Sequence, residues 1–124
     1  MLNQILFYVA AALTVLWGLS HLFPTKNVVA GFGEISTDNK NIITMEWIVV
    51  GVALIFIGVL VATVTVIDPA SLVSQAVYWL SFVMLNTLSV ISLFTGFKVN
   101  FLPFKLCPVI FTGSSILILL GILL

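Results

Sequence analysis

Arginine does not occur in this chain of 124 residues, and cysteine and histidine occur once each. Each scarcity excludes a class of chemistry. Without a basic stripe there is nothing to neutralise nucleic-acid phosphates, so no nucleic-acid partner is expected. A lone Cys107 forms no intrachain disulfide and no CxxC metal or redox pair. A lone His21 cannot supply the second imidazole of a bis-histidine haem or of a His-rich metal site within one chain. Charge is scarcest of all: four lysines and four acids make up 6% of the residues, against 62% hydrophobic. Soluble domains are roughly a quarter charged, and eight charged side chains cannot cover a water-facing surface. A bilayer removes that demand, because lipid-facing positions must be apolar.

What is present is four long apolar runs. They predict an all-α integral membrane four-helix bundle forming one domain, with spans at about 2–23, 45–67, 71–95 and 107–124. The last is the shortest, at about 17 residues. Helix is the economical reading, since the alternation expected of a membrane β-barrel is missing. Met1-Leu2-Asn3-Gln4 carries no positive charge and the apolar run continues to Phe23, so the first run reads as a retained span rather than a signal peptide.

The connections differ. Asp68-Pro69-Ala70 reads as a tight turn that makes spans two and three antiparallel neighbours. The first connection, about Pro24 to Thr44, is long enough to carry structure. Val28, Val29, Phe32 and Ile35 recur there at near-helical spacing, which predicts a short surface helix or re-entrant segment between 28 and 35. Thr37-Asp38-Asn39 follows as a helix start, with Thr37 as cap, so span two is expected to begin before the membrane does. The third connection, Gly96 to Leu106, holds lysines among phenylalanines and is expected to dip into the interface. Lys26, Lys40, Lys98 and Lys105 all fall in connections one and three. The positive-inside rule then places that side in the cytoplasm and both termini outside, as in a multi-pass protein of a bacterial inner membrane.

Small residues recur on helix faces: Ala10, Thr14 and Gly18 with His21; Gly51, Gly58, Ala62 and Thr65; Ser74, Ser81, Ser89 and Ser92. Such stripes let helices approach closely in lipid. Candidate chemistry converges at the lysine-bearing end, where His21, Glu46, Lys98, Lys105 and Cys107 share one depth. Interfacial anchoring explains polar residues at helix ends, and a shallow pocket is the functional alternative. A contact between His21 and Glu46 is the sharpest expectation, since carboxylate and imidazole together form an ion pair or proton-transfer unit. Asn86, near the middle of span three, is expected to hydrogen-bond a neighbouring helix. No Walker A, GxSxG, HExxH or dinucleotide fingerprint is present, so no catalytic residue, metal site or cofactor is assigned.

Trp17-Gly18-Leu19-Ser20-His21-Leu22-Phe23-Pro24, then an apolar surface segment, Glu46, Gly51 and Leu54-Ile55-Phe56-Ile57-Gly58-Val59-Leu60 make a recognisable series. Over about residues 14 to 62 it resembles the DoxX-like superfamily of small four-helix membrane proteins. His21 stands where that family often has lysine, an N-terminal arginine is missing, and Lys105-Leu106-Cys107-Pro108 carries no family motif. The resemblance implies a four-helix bundle; some members of the family are linked to thiosulfate–quinone or other redox complexes. Three functions follow in order of preference. The first is a non-catalytic membrane subunit or binder of a lipophilic ligand, in a homo-oligomer or a membrane complex. The second is a membrane oxidoreductase component handling quinone or sulfur species. The third is an oligomeric transporter or channel.

Overall fold

The computed structural model describes all 124 residues and contains five helices and no strand: α1 (Leu2–Leu22), α2 (Thr25–Ala30), α3 (Thr37–Ile67), α4 (Leu72–Gly96) and α5 (Leu102–Leu123). The four long ones form an all-α bundle, and each is long and apolar enough to cross a membrane. Around the bundle the order is α3, α1, α5, α4; of these neighbouring pairs α1 and α3 pack most extensively and α3 and α4 least. Both termini and the Asp68 turn lie at one end. All four lysines lie at or near the other.

Backbone chemistry explains the boundaries. Pro24 lacks an N–H and ends α1, and Gly33, the only residue with positive φ, turns the chain between α2 and α3. α3 starts at Ser36, whose side chain accepts a hydrogen bond from the Asn39 N–H at 3.2 Å. The cap is therefore one residue earlier than Thr37, and Asp38 occupies the first turn, where its charge suits the helix dipole. The 31 residues of α3 confirm a helix that begins well before its apolar run. The short helix predicted over 28–35 is instead Thr25–Ala30: Val28 and Val29 are buried in it, whereas Phe32 lies beyond it and is half exposed. α5 also begins earlier than expected, at Leu102 rather than near Cys107, because Pro103 sits in its first turn, where a missing N–H costs nothing. Pro108 inside α5 leaves the Phe104 carbonyl without its helical donor, and the Gly96 backbone closes over that oxygen, where any Cβ would collide.

Close approach depends on the small residues. A Cβ at Gly18 would meet the Gly51 carbonyl at 2.7 Å, and one at Gly58 would meet the Ala11 carbonyl at the same distance. Backbone thus rests on backbone along α1 and α3, which is how helices gain packing in lipid. Ser74, Ser81 and Ser89 of the serine stripe are buried, and Ser89 ties α4 to α5 through Thr112 Oγ1 (2.6 Å) and the Pro108 carbonyl (3.3 Å). The core centres on Phe7 and Tyr78, stacked with centroids 3.7 Å apart. At the turn, Asp68 accepts from the Ala70 N–H, and Ser71 caps α4. The tight turn holds and α3 and α4 are neighbours, although they pack less extensively than the other adjacent long helices.

Candidate functional site

A closed-in cavity of about 180 Å³ lies at the lysine-bearing end, between α1, α2, α3 and α5. Its walls are Trp17 and His21 of α1, Val28 of α2, Trp47 of α3, and Leu106 and Cys107 of α5, with Phe101 and prolines at the rim. Nearly all the lining atoms are carbon. An aromatic chain frames it: Trp17 meets His21 edge-on at 5.7 Å, His21 stacks on Trp47 at 4.7 Å, and Trp47 leans on Phe104 at 5.4 Å.

The helix ends hold these rings in place. The last carbonyls of α1 have no helical donors, and the His21 carbonyl receives both the Trp47 indole N–H and the Thr25 hydroxyl. Trp47 is thereby fixed across the α1–α3 seam. His21 Nδ1 lies 2.9 Å from the Trp17 carbonyl. A carbonyl only accepts, so in neutral imidazole Nδ1 carries the proton and Nε2 is an acceptor. Nε2 has no partner in the protein. Trp17 Nε1–H is buried and also unpaired; Cys107 adjoins that indole, but the two do not reach hydrogen-bond geometry. Trp17 and His21, which carry these two nitrogens, both line the cavity, whose surface is almost wholly carbon.

The sequence-derived candidates divide. His21 and Cys107 line the cavity together. Glu46 does not: it is exposed on α3, and the His21 ring is held by the Trp17 carbonyl and the Trp47 ring instead. The expected contact between His21 and Glu46 is replaced by one with the next residue, because a single step along a helix turns the side chain by about 100°. Lys98 is exposed past the end of α4 and Lys105 is half-buried on α5, and neither lines the cavity. Asn86 is elsewhere, within α4, and donates to the Phe82 carbonyl of its own helix at 2.8 Å rather than to a neighbour. Nowhere do three His, Cys, Asp or Glu side chains come together as a metal site would require.

Trp17 and Trp47 were not singled out from the sequence as site residues, and Val28 was read only as part of the apolar segment after α1. A signal existed: Trp47, Gly51, Leu54 and Gly58 share one face of α3, the face that packs on α1. A hollow of about 390 Å³ on the outer side shares Val28 and Phe101 with the cavity and connects the first and third connections. A larger groove of about 520 Å³ lies on the flank of α1 and α3, walled by residues such as Ala12, Gly58 and Val66. Its polar side chains are Tyr8 and Thr63, and the Thr63 hydroxyl is spent on the Val59 carbonyl of its own helix. Comparison with protein-family models, curated proteins and solved structures found no match for the chain.

Proposed function

We propose that this chain is a multi-pass membrane protein that binds a small, uncharged ring-containing lipophile in the cavity of Trp17, His21 and Trp47, as a binding bundle or membrane subunit rather than as an enzyme. The observation that carries the reading is the cavity itself: aromatic, almost wholly apolar walls, two of whose residues, Trp17 and His21, each carry a nitrogen without a protein partner. An apolar cavity of about 150 Å³ admits one benzene-sized molecule, so this one fits a single ring. A hydroxyl on that ring would accept from the indole or donate to the imidazole wherever it reaches either nitrogen. Any apolar tail leaves between Val28 and Phe101 toward the outer hollow.

The lysine-bearing end is assigned to the cytoplasm and both termini to the outside of a bacterial inner membrane, on the charge rule. The resemblance of residues 14 to 62 to DoxX-like bundles implies the four-helix fold and does not choose between a binding and a redox role. One observation favours a second reading, a redox component for quinone or sulfur species: His21 and Cys107 face the same cavity.

Tryptophan fluorescence tests the first reading. Two of the three tryptophans line the cavity, while Trp79 is on the outer surface. Phenol-type ligands titrated into the protein in lipid nanodiscs should quench emission saturably, and Trp17→Phe or His21→Ala should weaken binding by about tenfold, the worth of one buried hydrogen bond. Unchanged affinity in both variants rejects the site. A ligand or cofactor absorbance band that depends on Cys107 would move the assignment to the redox reading.

A further inference from the structure

The connection after α1 carries chemistry that the cavity does not use. Two open grooves of about 650 and 240 Å³ share Thr25, Lys26 and Thr44 as walls; Asn27 belongs to the larger and Lys40 to the smaller. The rest of the larger groove is apolar, formed by Leu22, Phe23 and Ile48. Phe23 is 84% exposed and Ile48 40%, so this wall has no protein cover. One groove system is therefore cationic and amide-bearing at one end and greasy at the other.

The hydroxyls do not serve as donors here. Thr25 Oγ1 donates to the His21 and Leu22 carbonyls, and Thr44 Oγ1 to the Lys40 carbonyl. What remains is two exposed ammonium groups and the Asn27 amide. Glu34 and Asp38, the acids of the same connection, are exposed and hold neither lysine. Two cations that converge without a carboxylate between them leave a place for an anion. The other two lysines differ: Lys98 and Lys105 line neither groove.

We propose that this groove binds the phosphate of an anionic membrane lipid, with Lys26, Lys40 and Asn27 on the phosphate and the acyl chains over Leu22, Phe23 and Ile48. The site rests on the membrane placement argued above and is independent of the ring-binding cavity. Its chemistry is that of any phosphate anion, so the test separates a lipid headgroup from free phosphate.

Wild type, K26Q/K40Q and K98Q/K105Q are placed in nanodiscs of mixed phosphatidylglycerol and phosphatidylcholine, and the lipids that stay on the released protein are counted by native mass spectrometry. The two double variants lose the same charge, so diffuse surface attraction falls equally in both. Preference for phosphatidylglycerol should fall about tenfold in K26Q/K40Q and less than about twofold in K98Q/K105Q. Equal losses, or no loss, overturn the proposal. Inorganic phosphate is titrated on detergent-solubilised wild type by phosphorus NMR. Tight binding that needs Lys26 and Lys40, without any lipid preference, would reassign the groove to a soluble anion. A chain that never enters the discs overturns the membrane placement itself, a failure distinct from loss of lipid preference.

Discussion

The two ends of the bundle are built on opposite plans. At the end with the termini the centre of the bundle is filled and its polar groups are paired, apart from the Ser114 hydroxyl near the middle of α5 and the groove on the α1–α3 flank. Tyr78 is completely buried, its ring lies on Phe7, and its hydroxyl meets Thr65 Oγ1 at 2.9 Å. Ser74 donates to the Asp68 and Val64 carbonyls, and the Phe7 ring presses on Gly121. At the lysine-bearing end, rings stand around a void, and Trp17 Nε1–H has no partner. An unpaired buried donor costs about 1–3 kcal/mol, so the open end gives up stability that the sealed end supplies. Strained or unsatisfied groups gather where function is, while the rest of the fold overdetermines itself.

Truncation at each end gives the largest effect and the sharpest contrast. Tyr78→Ala removes a fully buried ring and should destabilise the bundle by about 3–5 kcal/mol. Its ring-binding affinity, measured at a temperature where the variant is still folded, should be near wild type. Trp17→Ala should show the reverse: a smaller loss of stability and loss of ring binding. Reversible unfolding in mixed detergent micelles, paired with the fluorescence titration, reads both. If Trp17→Ala is as destabilising as Tyr78→Ala, the lysine-bearing end is simply more core.

The next contrast lies within α5. A Cβ at Gly121 would come within 2.6 Å of the Phe7 ring, while one at Gly113 would meet nothing within 4 Å. Phe7 is pinned by Tyr78 and cannot retreat. Gly121→Val should therefore cost about 1–3 kcal/mol, and Gly113→Ala should be neutral or stabilise by up to about 1 kcal/mol, the helix preference of alanine over glycine. Equal effects at the two positions would mean that the terminal end is not packed as tightly as its geometry indicates. A subtler change comes from Trp47→Phe, which keeps a ring against His21 but removes the N–H held by the His21 carbonyl. Interhelical hydrogen bonds in membranes are worth about 0.6 kcal/mol and at most about 1.7. Stability should fall by that much, and ring binding should weaken as the cavity wall loosens.

Most of the bundle could be read from hydropathy, because four charge-free runs leave the backbone no alternative to helix. Boundaries were harder. Lys98, Asn100, Pro103 and Lys105 among phenylalanines read as a connection dipping into the interface, whereas Pro103 opens α5 and Lys105 is half-buried on it. The short helix was placed late because Phe32 and Ile35 continued the apolar rhythm that Gly31 and Gly33 interrupt. The sealed end was half visible: the small-residue stripes marked faces, but not that Phe7 and Tyr78 meet across the bundle, a contact of residues 71 positions apart that no local pattern encodes. For the site, His21 and Cys107 stood out as rare polar residues in apolar runs. The tryptophans did not, since an interfacial aromatic is ordinary.

The smallest expected effect decides whether rarity or helix face locates a site. Glu46 drew attention because a carboxylate near a lone histidine is chemically suggestive. Its neighbour Trp47 lies four, seven and eleven residues before Gly51, Leu54 and Gly58, which α3 turns toward α1, and that phase carries Trp47 to His21 and Glu46 outward. An exposed carboxylate without a partner contributes little, so Glu46→Gln should change stability by less than about 0.5 kcal/mol. It should also leave ring binding unaltered at every pH between 5 and 8, because no carboxylate would be coupled to the imidazole. Glu46→Gln and Trp47→Phe therefore make a matched pair of adjacent substitutions with opposite expectations. A Glu46→Gln variant that loses binding, or shifts its pH dependence, would return the carboxylate to the site and show that α3 is rotated by about a quarter turn from the face described. A silent Glu46→Gln beside an impaired Trp47→Phe establishes that the packing stripe, not the rare charge, is what points to the cavity.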